Sequence, residues 1–398
     1  MSAYLLAREH DVTIFEAADR LGGHTHTHIV DLGAGPVAID TGFIVFNHRT
    51  YPGFTRLLAK LGVRSQASEM SFSVQCARTG LEWASRAVFV QRRNLLRPRF
   101  LRMLADIVRF YHSGPKLLQR PGDELTMRDY VREARLSDGF VDHYLVPLGA
   151  SIWSCPPEQF FDFPVRFMLG FMRNHGMLQL TELPTWRVIA GGSQRYVEAL
   201  VREFRGHIRL ATPIAAVRRH PSHVEIAPQG ADSERFDHVV IACHSDQALG
   251  LLDDASDSER ELLGAIPYQE NHVVLHTDTS ILPSDRRAWS SWNYYIPPEQ
   301  RQRAVLSYGM NILQGVDAPQ FACATVNDAD RIDPNLVLRR IRYHHPLFTI
   351  DAPRAQARHA ELIGKNRSSY CGAYWGYGFH EDGVNSALAV ARHFGISL

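Results

Sequence analysis

The stretch that most constrains this chain is DVTIFEAADRLGGH, residues 11 to 24. Val12, Ile14 and Phe15 form a short apolar run of strand-forming residues, Glu16 closes it, and Gly22 and Gly23 mark a turn soon afterwards. In doubly wound nucleotide-binding folds an acidic residue at the end of the second strand accepts hydrogen bonds from ribose hydroxyls, and Glu16 stands where such a residue would. Arg20, with bare backbone at Gly22 and Gly23, offers a pyrophosphate a cation and a close approach. An exposed glutamate before an ordinary glycine turn fits the same letters, and the motif alone leaves both readings open.

Bulk properties narrow the class without naming it. A chain of 398 residues with 45% hydrophobic content can bury a large core and is expected to form two domains. Its 43 basic and 42 acidic residues leave a net charge of +1, so no nucleic-acid partner is expected. Lysine occurs only at Lys60, Lys116 and Lys365. Cys76, Cys155, Cys243, Cys323 and Cys371 form no CxxC pair, which suits reduced thiols and a cytoplasmic location. No signal-peptide core and no apolar run long enough to span a bilayer is present.

Two longer segments carry a resemblance. EAADRLGGH at 16 to 24 and CGAYWGYGFHEDGVNSALAVARHFG at 371 to 395 resemble the FAD-dependent amine oxidoreductase superfamily, which includes monoamine oxidases and phytoene desaturases. YLVPLGASIWS at 144 to 154, AWSSWNYY at 288 to 295 and GFHEDG at 378 to 383 resemble one bacterial branch, NAD/FAD-binding oxidoreductases encoded beside cyclopropane-fatty-acid synthases. The resemblance implies an α/β fold: a glutathione-reductase-like, Rossmann-type FAD/NAD(P)-binding domain from 1–50, 187–264 and 360–398, and a mixed α+β substrate domain with an antiparallel sheet from 51–186 and 265–359. It implies FAD as cofactor, with Glu16, Arg20, Gly22, Gly23, His24, Thr41, Gly42, Phe43, Gly372, Glu381, Asp382, Gly383 and Val384 around it. His272, Tyr294 and Trp375 are the catalytic candidates. One departure is Ala373 after Gly372, where many relatives carry an acid.

In order along the chain, SAYLLARE at 2 to 9 resembles the end of a helix that a strand and a GxGxxG loop ordinarily precede. No GxGxxG occurs in the sequence. A misassigned start codon or a trimmed N-terminus is the expected explanation, and the chain as written is expected to bind FAD poorly. His24, His26 and His28 alternate and would share a strand face, but no fourth ligand has suitable spacing and no metal is expected. Between 98 and 112, Phe100, Leu101, Leu104, Ile107, Val108 and Tyr111 are expected on one buried helical face. Arg92, Arg93, Arg97, Arg99, Arg102 and Arg109 crowd the same region, so 92–112 offers either a solvated basic face or a peripheral membrane contact. FFDFPVRFMLGFMRNHGML at 160 to 178 reads as an acyl-chain channel or as plain core. A capping box at Ser256 and Glu259 predicts a helix start. NHVVLHTD at 271 to 278, AWSSWNYY and AVLSYGMNILQG at 304 to 315 are expected to be three antiparallel strands, and a final helix is expected from about Val384 to Phe394.

The activity these readings imply is removal of hydride from an apolar small molecule or acyl lipid. Amine oxidation, and a non-catalytic FAD- or lipid-binding accessory role, are the alternatives. YQENHVVLH at 268 to 276 lacks the lysine that many amine oxidases place on the matching strand, which argues against amines and leaves His272 or His276 for a polar role there.

Overall fold

The computed structural model describes residues 1–119, 125–179, 181–299 and 303–398. It is a mixed α/β fold whose largest sheet has seven strands. Their spatial order is Val337–Pro346, Tyr268–His276, Cys323–Val326, Val305–Gly309, Trp292–Ile296, Phe72–Cys76 and Leu81–Ala84. Two of the three expected antiparallel strands are direct neighbours, with Tyr294 opposite Leu306. Cys323–Val326 separates Tyr268–His276 from them, and Phe72–Cys76 joins the other side in parallel, so the sheet is mixed. Alternating apolar residues specify that a strand has a buried face, but not which strand lies beside it.

Thr13–Phe15 pairs in parallel with His207–Arg209, and Val239–Ile241 pairs in parallel with Ser368–Tyr370. Among the described residues these two ribbons are not hydrogen-bonded to each other. The helix Ser2–Leu6 buries Leu5 and Leu6 in one core with Phe54, Leu57, Val384 and Leu388. The predicted capping box forms: the Ser256 hydroxyl accepts from the Glu259 N–H at 3.3 Å, and Asp257–Gly264 follows.

The final helix is His380–His393, beginning four residues before the expected start because Asp382 accepts the Phe379 N–H at 2.9 Å and caps it. The long helix Pro98–Gln119 keeps four of the six expected residues against the core, Phe100, Leu104, Ile107 and Tyr111. It buries Phe100, Met103, Phe110, Gly114 and Leu117, while Leu101 and Val108 are 43% and 46% exposed. A 3.6-residue period fits either of two adjacent faces, and packing chose the one bearing Met103 and Phe110. Phe160, Phe163, Met168, Leu169, Phe171 and Met172 are buried core, so the aromatic and methionine-rich stretch is chiefly packing. No helix among the described residues is long and apolar enough to cross a membrane.

Candidate cofactor site

Glu16 is pinned where its strand ends. Its N–H donates to the Arg209 carbonyl at 2.9 Å and its carbonyl accepts from the Thr212 N–H at 2.8 Å. One carboxylate oxygen accepts from the Ala18 N–H at 2.9 Å, and the other accepts nothing among the described residues. Arg20 donates to the Gly23 carbonyl at 2.7 Å and the Thr25 carbonyl at 3.2 Å, closing the loop, with no carboxylate partner among the described residues. Gly22 and Gly23 both have positive φ, 119° and 56°, and a Cβ at Gly23 would meet nothing within 4 Å. The loop thus leaves bare backbone open at Gly23, an arginine without a carboxylate partner and a carboxylate with a spare oxygen among the described residues.

Histidines and aromatic residues from distant segments gather beside it. The His24 ring lies 5.3 Å from His244, 5.1 Å from Tyr343 and 5.8 Å from His345. Burial, with the neighbouring His244, pushes His24 down to about 4, so it is neutral at physiological pH. His244 stacks on Tyr268 at 4.3 Å. Burial pushes the Cys243 thiol up to about 12, with the charge of Glu16 contributing, which places Cys243 near Glu16. Trp375 stacks on His359 at 4.2 Å and lies 5.1 Å from Tyr374. His24 Nε2, the Tyr374 hydroxyl and Trp375 Nε1 are buried without a hydrogen-bond partner. Buried polar atoms ordinarily find partners, so these orphaned atoms fit a polar ligand that the described residues do not supply.

The other cofactor-binding candidates already have protein partners. Thr41 shares a hydrogen bond with the Tyr343 hydroxyl at 2.7 Å, and Gly42 sits opposite His26 in a β ladder. Phe43 holds a left-handed φ of 52°, with its ring 4.9 Å from His380 and its carbonyl accepting from the Ser193 hydroxyl at 2.9 Å. The Gly372 N–H donates to the Ser386 hydroxyl at 3.0 Å. Glu381 accepts from the Gly53 and Phe54 N–H groups at 2.9 and 2.8 Å, capping the helix Pro52–Lys60 instead of facing a ligand. Burial pushes Asp382 up to about 6 while it caps its own helix. Val384 is buried core, whereas a Cβ at Gly383 would meet only the Ala373 Cβ at 4.0 Å, so that helix start can be approached closely.

Of the three catalytic candidates only Trp375 stands in this cluster. Tyr294 is core beside Cys155, and His272 is exposed on its strand, 2.9 Å from Glu270. His276 is fully buried and bonds the Thr325 hydroxyl at 2.7 Å. His26 and His28 lie together, rings 3.9 Å apart, while His24 turns toward His244. Among the described residues the single group spaced to hold a metal ion is His220, His223 and Glu225, on a hairpin.

Asp40 has no counterpart in the sequence reading. Fully buried, it accepts from the Ser193 N–H at 2.9 Å, the Thr27 hydroxyl at 2.5 Å and the Gln314 amide at 3.0 Å. It ties the strand Pro36–Gly42 to the start of the helix Gln194–Glu203 and to Gln314 after the short helix Met310–Leu313. The only local signal was its place directly before Thr41 and Gly42.

The profile of the family described as flavin containing amine oxidoreductase matches residues 1–393. The chain belongs to that family. It is therefore an FAD-dependent oxidoreductase, and Glu16, Arg20, Gly23 and Gly383 are the residues whose open groups fit FAD. No curated protein sequence matches it. Among solved structures, a CLA-producing fatty acid isomerase from P. acnes superposes with a TM-score of 0.68 at 15% identity, over 99% of this chain and 96% of that one. Cyclohexylamine oxidase from Brevibacterium oxydans gives 0.66 at 14% identity, over 99% and 96%. Putrescine oxidase bound to putrescine gives 0.66 at 13%, again over 99% and 96%. At these identities the likeness is one of fold.

Glu16→Ala is expected to weaken FAD affinity by about 1.5–3 kcal/mol, the worth of charge-assisted bonds to ribose. Equal affinities for both proteins in a fluorescence titration would remove Glu16 from the site.

Proposed function

We propose that this flavoenzyme removes hydride from an apolar, acyl-lipid-derived substrate. In this reading a glutathione-reductase-like nucleotide domain, 1–50, 187–264 and 360–398, holds the cofactor, and a substrate domain, 51–186 and 265–359, shapes the cavity. The observation that carries the proposal is a cavity of about 480 Å³ whose lining includes Leu125, Phe167, Ile350 and Tyr377, with Arg166, Arg354, Gln356 and Asp382 as polar groups. That volume lies within the usual range for small-molecule sites. Tyr377 and Asp382 belong to the segment leading into the helix His380–His393, the part of the chain that resembles the family's flavin segment.

FAD supplies the hydride acceptor. The protein's own groups orient the substrate and keep water out. Phe167 and Tyr377, with ring centroids 5.0 Å apart, offer an apolar surface to an acyl chain. The Arg166 guanidinium donates to the Leu117 and Leu118 carbonyls at 3.3 and 2.9 Å, which fixes a positive charge in the wall. The strand Tyr268–His276 contains no lysine, which counts against amines.

Anaerobic mixing with long-chain acyl substrates and with simple amines is the test. Flavin bleaching by the acyl panel alone is expected. Rapid bleaching by the amines would overturn the proposal.

A further inference from the structure

Ten large hydrophobic side chains are exposed among the described residues, and five of them, Phe89, Leu95, Leu96, Leu101 and Val108, fall within one stretch of chain. Leu96 is 87% exposed, more than any of the others. The short 3-10 helix Arg92–Leu96 carries Leu95 and Leu96, and Phe89 packs 6.0 Å from Phe100 at the start of Pro98–Gln119. On that long helix Leu101, Ala105 and Val108 are spaced by four and three residues, so they form a single outward stripe opposite Met103 and Phe110.

The same stretch of chain is rich in arginine. From 89 to 109 the sequence has Arg92, Arg93, Arg97, Arg99, Arg102 and Arg109 against Asp106 alone, in a chain whose net charge is +1. Asp106 is buried and shared by Arg102 and Arg109 at 3.3 and 3.2 Å. Arg93 donates to the Gly80 carbonyl and Arg97 to Asn94. Arg92 and Arg99 are exposed, and neither has a side-chain partner among the described residues. A solvated basic face would account for the arginines but leaves the exposed leucines unexplained, whereas apolar side chains fringed by free cations match the two layers of an anionic bilayer surface.

We infer that the face formed by Arg92–Leu96 and the outer side of Pro98–Gln119 docks on an anionic membrane. Leu95, Leu96 and Leu101 enter the acyl boundary while Arg92, on the same 3-10 helix as Leu95 and Leu96, remains at the phosphates. The inference is independent of the substrate, since it concerns a surface and not the cofactor site.

Sedimentation of the full-length protein with vesicles tests it. Binding to phosphatidylcholine vesicles containing phosphatidylglycerol is expected at low salt, with loss as salt rises and little binding to phosphatidylcholine alone. Arg92→Ala should weaken binding by roughly fivefold. Leu95→Ser with Leu96→Ser, at exposed positions where folding is not at stake, should weaken it while leaving flavin content unchanged. No sedimentation at low salt, or equal sedimentation of the leucine variant, overturns the inference. A dimer that the leucine variant splits in light scattering, with no vesicle binding, would assign the face to a second copy instead.

Discussion

Replacing Arg219 with alanine is expected to destabilise the protein by about 3–5 kcal/mol, the usual cost of leaving one partner of a buried ion pair behind. The side chains of Arg219 and Glu259 are each 2% exposed. Arg219 donates to both carboxylate oxygens of Glu259, to Asp254 at 2.9 Å and to the Ser368 hydroxyl at 3.1 Å. The Tyr370 hydroxyl donates to Glu259 at 2.6 Å, and the Ser256 N–H does so at 2.8 Å. One guanidinium therefore joins the hairpin strand Ile214–Arg219, the helix Asp257–Gly264 and the strand Ser368–Tyr370 that leads to the flavin segment.

Burial alone would raise the pKa of Glu259, but Arg219, Tyr370 and Ser256 together hold it at about 2. A depressed carboxylate contributes stability above its unfolded value near 4.5, lost only as pH falls toward about 2, so the deficit of the alanine variant is present at neutral pH. Urea unfolding at pH 7 measures it, and an unchanged midpoint would contradict the argument. Replacing both partners with apolar residues of similar size should recover much of the loss, because no charge is then left buried.

Acidification from pH 6.5 toward 4 is the second large effect. His175, His276 and His380 are 4%, 0% and 5% exposed, and burial holds them neutral with pKa values of about 4, 4 and 3 against an ordinary 6.5. In the unfolded chain they protonate first, so the stability they confer is complete above 6.5 and is lost as pH falls toward their folded values. At pH 5 each loses about 2 kcal/mol, together about 6, against a typical total of roughly 5–15 kcal/mol.

Asp40 and Asp382 act in the opposite direction. Burial raises both to about 6 from 3.8, so each regains only about 1.4 kcal/mol on going down to pH 5. His24, His244 and His345, held at about 4, 4 and 3 chiefly by burial, add to the loss. The histidines win, and the melting temperature should fall steeply between pH 6.5 and 4.5. A melting temperature that stays flat or rises over that range would show that these side chains are not buried neutral.

Short-range pattern in the sequence was enough for several features. The apolar run ending at Glu16, the glycine turn after it and the Ser256–Glu259 cap depend on residues only a few positions apart, and each is found where the pattern put it. The final helix was legible for the same reason. Arg20 was identifiable as the loop's cation, because the backbone carbonyls it closes on are only three and five residues away.

Partner choice over long separations was left to the tertiary structure. Glu381 looked like a ligand for the cofactor and instead caps a helix 328 residues earlier, since a carboxylate serves any set of open N–H groups and only packing decides which lies nearest. His272 and His276 are four residues apart on one strand and so share a face, yet one stands at the surface against Glu270 and the other is sealed against Thr325, because what packs over each end of that face is set by the fold. Leu101 and Val108 fitted the helical period as core and lie outside, since Met103 and Phe110 fill the interior better. Asp40 drew no attention because its partners, at 27, 193 and 314, are brought to it only by the fold.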